Sequence, residues 1–207
     1  MSETTHLVDT PAGPARLTIH ARGPQWLVLG HGAGGLTWSA DILAAAADAA
    51  GDLGWSVALV DQPWRVAGRK VATRPPVLDQ GWAAALSWLR VQHHPQWLGV
   101  GGRSAGARVA CRTAAAVAAD AVLALSFPLH PPGHPERSRA DELRTPLAAG
   151  LPVRVIQGAR DPFGRPEEVR AVLPGGADVV EVPGTHTLAA PETVAQAVTD
   201  WLTRHTG

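Results

Sequence analysis

The segment richest in chemistry is Gly99-Val-Gly-Gly-Arg-Ser-Ala-Gly-Ala-Arg108, which contains the pattern Gly102-Arg103-Ser104-Ala105-Gly106. A serine with glycine two places to either side suits a strand-to-helix turn so tight that larger side chains would clash. Such a turn holds the serine strained, with its hydroxyl exposed, and aims the N-terminus of the next helix at developing negative charge. Ser104 is therefore the candidate nucleophile, against the plainer reading of a glycine-rich turn. A serine nucleophile needs a base, and the base needs an orienting acid. In one known arrangement of such sites on a mostly parallel sheet, they follow in the order serine, acid, histidine, each just past a later strand. Asp161 in Gln157-Gly-Ala-Arg-Asp161-Pro-Phe-Gly164 and His186 in Pro183-Gly-Thr-His186-Thr187 fit both the places and the order. Asp161, before Pro162, also suits a plain turn, and Asp178 is a weaker rival at the start of a strand. The chemistry of such a set is acyl transfer to water. The amides of Ala105 and of Ala33, in the loop Gly30-His31-Gly32-Ala33-Gly34-Gly35, would hold the oxyanion. His31 reads as a brace for that loop.

Other motifs compete. Gly30, Gly32 and Gly35, with Asp61 ending the next strand, formally make a dinucleotide fingerprint. Against it, the next helix is expected to start near Ser39, past the glycines, and Asp61 lies 26 residues beyond Gly35, further than the usual ~20. His130-Pro-Pro-Gly-His134-Pro-Glu136 lacks metal-ligand spacing; no metal is expected, and His130 is read as rimming a pocket. Cys111 reads as a small core residue. Trp38 and Trp64 follow strands and are candidates to line a substrate pocket, while Trp82 and Trp88 suit helix packing. Arg103 has two readings: it recognises an anionic acyl group, or it pairs with Asp161, Asp141 or Glu142.

The elements that must position these residues alternate short apolar runs with alanine-rich stretches, the pattern of a parallel sheet with helices on both faces. Strands are predicted at 15–21 (as an edge), 26–29, 56–60, 97–101, 121–126, 153–157 and 178–182. Helices are predicted at 39–50, 77–93, 105–119, 141–149, 167–173 and 193–204. The stretch 127–139 holds four prolines and is expected to be irregular. The 207 residues are expected to form one domain, 1–207. Eighteen basic residues balance eighteen acidic ones, which argues against nucleic acid or a polybasic membrane surface as partner. One cysteine excludes an internal disulfide, and the absence of Asn excludes N-glycosylation. With neither a signal peptide nor an apolar run long enough for a bilayer, a cytoplasmic protein is expected.

Six segments together resemble one family: His31–Gly35, Asp61-Gln-Pro-Trp-Arg65-Val-Ala-Gly-Arg69, Arg74–Leu78, Gly101–Arg108, Ser126-Phe-Pro-Leu-His-Pro-Pro-Gly133 and Gln157–Gly164. It is a family of short α/β-hydrolase-like proteins. It includes uncharacterised bacterial proteins and the hydrolase-like domain of a eukaryotic histone acetyltransferase complex subunit, and it is distantly similar to dienelactone hydrolases. The resemblance spans nearly the whole chain. It implies the α/β-hydrolase fold, with Ser104, Asp161 and His186 at the positions of a catalytic triad. Dienelactone hydrolases have a cysteine where this chain has Ser104, so their particular reaction is not implied. The insert from Phe127 to about Leu151 is too short for a full cap, so an open site is expected. The expected activity is that of a serine hydrolase on a small-molecule ester or related acyl compound, with no cofactor. The alternative is a catalytically silent protein that serves as a binding or complex subunit.

Overall fold

The alternating apolar runs become one sheet whose two faces are buried under different helices. The computed structural model describes residues 3–34, 40–173 and 178–205. The strands are β1 (Glu3–Val8), β2 (Ala15–His20), β3 (Gln25–Gly30), β4 (Ser56–Asp61), β5 (Trp97–Arg103), β6 (Ala121–Leu125), β7 (Val153–Gly158) and β8 (Asp178–Val182). They form an eight-stranded sheet in the order β1-β2-β4-β3-β5-β6-β7-β8. β2 pairs antiparallel with both β1 and β4, and every other pairing is parallel. The helices are α1 (Ala40–Asp52), α2 (Pro63–Val66), α3 (Pro75–His93), α4 (Ala105–Thr113), α5 (Ala140–Ala148), α6 (Pro166–Val172) and α7 (Pro191–Leu202).

Strand side chains alternate between the faces, so each strand serves two cores. Trp26 and Val28 of β3, with Val122 and Ala124 of β6, join a cluster completed by Leu86 and Leu89 of α3 and Val109 of α4. Leu27 and Leu29, with Leu123 and Leu125, face the opposite cluster, closed by Leu43 of α1 and Val198 and Trp201 of α7. Cys111 is wholly buried in the first cluster, where burial pushes its thiol pKa up and leaves it inert. This is the α/β-hydrolase architecture. Between β6 and β7 lie only an irregular stretch and α5, so no cap is inserted there. Among the described residues no helix is long and apolar enough to cross a membrane.

Three expectations are corrected. The strand at 15–20 is not the edge, because β1 pairs outside it. β1 is unrecognisable from hydropathy: only Val8 of its six residues is buried. The loop after β4 contains α2, and α3 begins at Pro75; proline suits a first helical turn, where its missing N–H has no helical partner to lose. The helix at 105–119 stops at Thr113, and the alanines beyond close as turns, with Ala118 left-handed at φ 51°.

Candidate active site

Two glycine strand ends meet at the centre of the sheet, where Gly30 of β3 is in register with Gly102 of β5. A β-carbon on Gly102, or on Gly106 in the first turn of α4, would sit 2.3 Å from the Gly30 carbonyl oxygen. Only glycine at both positions lets α4 start directly against the end of β3. Between them Ser104 is held at φ 54°, ψ −110°, a strained conformation for a serine. Its amide donates to the Leu125 carbonyl of β6 at 2.9 Å. A β-carbon on Gly32 would be 3.6 Å from Ser104 Cβ, which places the loop after β3 beside the serine. Ala105, the first residue of α4, presents an amide with no helical partner, and Ala33 lies exposed in that neighbouring loop.

The turns after β7 and β8 are stitched together: Ala159 N–H donates to Val182 O and Arg160 N–H to Gly184 O. This brings Asp161 to His186. Asp161 is 1% exposed. Its carboxylate accepts from His186 Nδ1 at 2.9 and 3.1 Å, from the Phe163 amide at 2.9 Å and from Gln157 Nε2 at 3.0 Å. A carboxylate only accepts, so the Nδ1 proton is assigned to His186 and its Nε2 is left bare. Ser104 Oγ stands 2.9 Å from that Nε2, placed to donate to it. The three residues picked out of the sequence therefore form one hydrogen-bonded chain, running from a half-buried hydroxyl to a buried acid.

Two further residues shape this chain. Gln157, at the end of β7, is fully buried; besides Asp161 it binds the backbone of Phe127 and Gly164, and so fixes the acid. Phe163 lies over the His186 ring, centroids 4.2 Å apart. The sequence marked Gln157 only faintly, because its strand, Val153-Arg-Val-Ile-Gln157, carries a second polar residue in Arg154. An unassigned buried amide is a request for partners.

His31 is buried, with Nδ1 2.7 Å from the Gly32 carbonyl and Nε2 3.1 Å from the Gln62 amide. Nδ1 donates and Nε2 accepts, so both bonds require the neutral ring. Burial, helped by Arg65 and opposed by the Gly32 carbonyl and Asp61, pushes the His31 pKa below its ordinary value. Asp61 itself faces Arg16 and Arg65 across 3.4 and 3.1 Å. An acid engaged in this way, and a strand order unlike the 3-2-1-4-5-6 of dinucleotide folds, remove the dinucleotide reading.

The weaker pocket candidates separate. Trp64 lines a recess of about 10 Å³ with Trp82, Leu78, Val109, Gly32 and Ala105. His130 does not line it; the Pro131 carbonyl lies 3.0 Å from its Nδ1 and Glu168 3.2 Å from its Nε2, tying it to α6. Trp38 lies outside the described residues. Arg103 donates to the His186 carbonyl at 3.0 Å and to Thr187 Oγ1 at 3.4 Å. Burial lowers its pKa and the Asp161 charge supports it. The other expected partners are engaged elsewhere: Glu142 with Arg108 and Arg112 at 2.6–2.9 Å, Asp141 with Arg144 at 3.3 Å.

Residues 24–203 match the family model described as "Alpha/beta hydrolase domain". The chain belongs to the alpha/beta hydrolase domain family. No curated protein matches it. The fold of this alpha/beta hydrolase is similar to XC6422 from Xanthomonas campestris, described as an a/b serine hydrolase without lid (TM-score 0.76, 18% identity, 99% of this chain and 95% of that one). It is equally similar to an alpha-beta serine hydrolase homologue from Coxiella burnetii (TM-score 0.77, 16% identity, 100% and 99%). A third neighbour is Est1E from Butyrivibrio proteoclasticus (TM-score 0.76, 15% identity, 97% and 98%). At these identities the likeness is one of fold.

Proposed function

We propose that this hydrolase cleaves carboxylic esters with Ser104 as nucleophile, His186 as general base and acid, and Asp161 as the orienting acid. The observation that carries the reading is the unbroken chain Ser104 Oγ–His186 Nε2, His186 Nδ1–Asp161, with links of 2.9 Å. Ser104 Oγ bonds to the acyl carbon as its proton passes to His186 Nε2, and the Ala33 and Ala105 amides steady the oxyanion. The carbon–oxygen bond to the alcohol then breaks, and the alcohol leaves with the proton from His186. Water, deprotonated by His186, attacks the acyl-serine; the acid departs and Ser104 recovers its proton. Apart from that water, every group in the cycle comes from this chain and the ester.

The test is covalent labelling with a fluorophosphonate, which phosphonylates an activated serine. Wild type is expected to gain one label, and Ser104→Ala none while keeping its thermal transition. Label on the Ser104→Ala protein would move the nucleophile elsewhere. A folded wild type that takes no label would favour the catalytically silent binding subunit.

A further inference from the structure

The acyl half of an ester on Ser104 lies beside the amides that hold its oxygen, so the space behind Gly32 and Ala105 sets its size. Ser104 does not itself line a recess, but Gly32, whose added β-carbon would lie 3.6 Å from Ser104 Cβ, and Ala105, the next residue, open on one of about 10 Å³ whose far walls include Trp64, Leu78 and Trp82 beside Gln62, Ala72 and Val109. Such a volume admits about one water-sized group, and a methyl group is of that size. The walls are held firmly. Trp82 is 0% and Trp64 3% exposed. The benzo edge of Trp82 packs on Gly30, where an added β-carbon would sit 3.0 Å from Cζ3. Trp64 meets the edge of His31 at a centroid distance of 5.3 Å, and His31 is itself pinned to the Gly32 carbonyl and Gln62 amide. Neither indole moves aside without disturbing close-packed core. The leaving-group side is different. Ser104 and His186 are only half-buried, and among the described residues no cap stands over them.

We infer that the hydrolase selects two-carbon acyl groups, taking acetyl esters of alcohols of varied size; this rests on the reading of Ser104 as nucleophile. In the acyl-enzyme the acetyl carbonyl carbon is bonded to Ser104 Oγ and its methyl fills the recess. The alcohol has left with the serine proton, and water releases acetate. Each further methylene has to displace a residue of the recess wall, such as Trp64, Leu78 or Trp82. Residues that bound the recess are thus specificity determinants, and the size of the alcohol is free.

The experiment measures kcat/KM for p-nitrophenyl acetate, propionate, butyrate and hexanoate. Each value is divided by the rate of hydroxide-catalysed hydrolysis, with the Ser104→Ala protein as blank. The expected result is at least a tenfold fall from acetate to butyrate, with hexanoate at the blank. Leu78→Ala, which enlarges the recess, is expected to raise the butyrate-to-acetate ratio at least tenfold. Val109→Ala opens the same wall should the first variant not fold, and the wild-type series needs no variant. Wild type that hydrolyses butyrate or hexanoate as well as acetate overturns the inference and leaves the hydrolase reading standing. Activity at the blank on every ester, with no fluorophosphonate label, overturns both.

Discussion

Replacing Gly106 by alanine tests the geometry that holds the whole site. The new β-carbon would lie 2.3 Å from the Gly30 carbonyl oxygen, 2.6 Å from its carbon and 2.8 Å from the His31 oxygen. These are backbone atoms of the last residue of β3 and of the residue after it, and they cannot rotate away as a side chain would. Restoring ordinary contact requires roughly a 1 Å separation of α4 from the end of β3, a displacement that can cost about a hundredfold in rate when it falls between catalytic groups. Overpacking of this kind costs about 3 kcal/mol at the upper end of its range. Alanine returns about 1 kcal/mol through its better helix propensity. The net loss of about 2 kcal/mol corresponds to a melting temperature lower by roughly 4–8 °C for a chain of this size. Turnover of p-nitrophenyl acetate is expected to fall about a hundredfold, because the loop carrying Ala33 moves away from Ala105. Gly34→Ala is the control: among the described residues nothing lies within 4 Å of its added β-carbon, and both readouts are expected to stay near wild type. The assays are differential scanning fluorimetry and initial rates. A Gly106→Ala protein that melts and turns over like wild type refutes the packing argument.

Arg103→Ala removes two hydrogen bonds that hold the His186 turn. For a half-exposed charged donor this is worth about 1 kcal/mol, so kcat is expected to fall roughly five- to tenfold, alike for neutral and carboxylate-bearing esters. Partial recovery by Arg103→Lys would agree; a loss confined to carboxylate esters would instead make Arg103 a substrate-recognition residue. Acid is expected to destabilise the fold through His31. Its folded pKa is below its ordinary 6.5, so on acidification the unfolded chain takes up a proton that the folded chain refuses. The contribution of the neutral ring is complete above that value and declines as pH falls below it. Thermal melts from about pH 7.5 to about pH 5 should show the decline, and His31→Gln should flatten it. An unchanged slope in that variant would assign the acid sensitivity to other groups.

The sequence by itself carried the local chemistry. Gly102 and Gly106 around Ser104 are written into the chain because a strand-to-helix turn against Gly30 has no room for a β-carbon, and that requirement reads as a pattern of five residues. The parallel sheet was legible for a similar reason: strands buried on both faces are continuous apolar runs, as in β6, Ala121-Val-Leu-Ala-Leu125. β1 escaped because an edge strand buries almost nothing, and its partner β2 was mistaken for the edge. Relations between distant segments were decided only by tertiary structure. Gln157 fixes Asp161 through contacts with Phe127 and Gly164, and Arg103 meets a turn 83 residues away; neither spacing leaves a local signal. His130 illustrates the converse. A proline-rich loop suggested a pocket rim, yet packing turned the ring toward Glu168 of α6. Residue types near one another in the chain disclose a turn and the serine it presents. Which carboxylate, amide or guanidinium reaches that turn depends on strand order, because the sheet sets which loops share an edge.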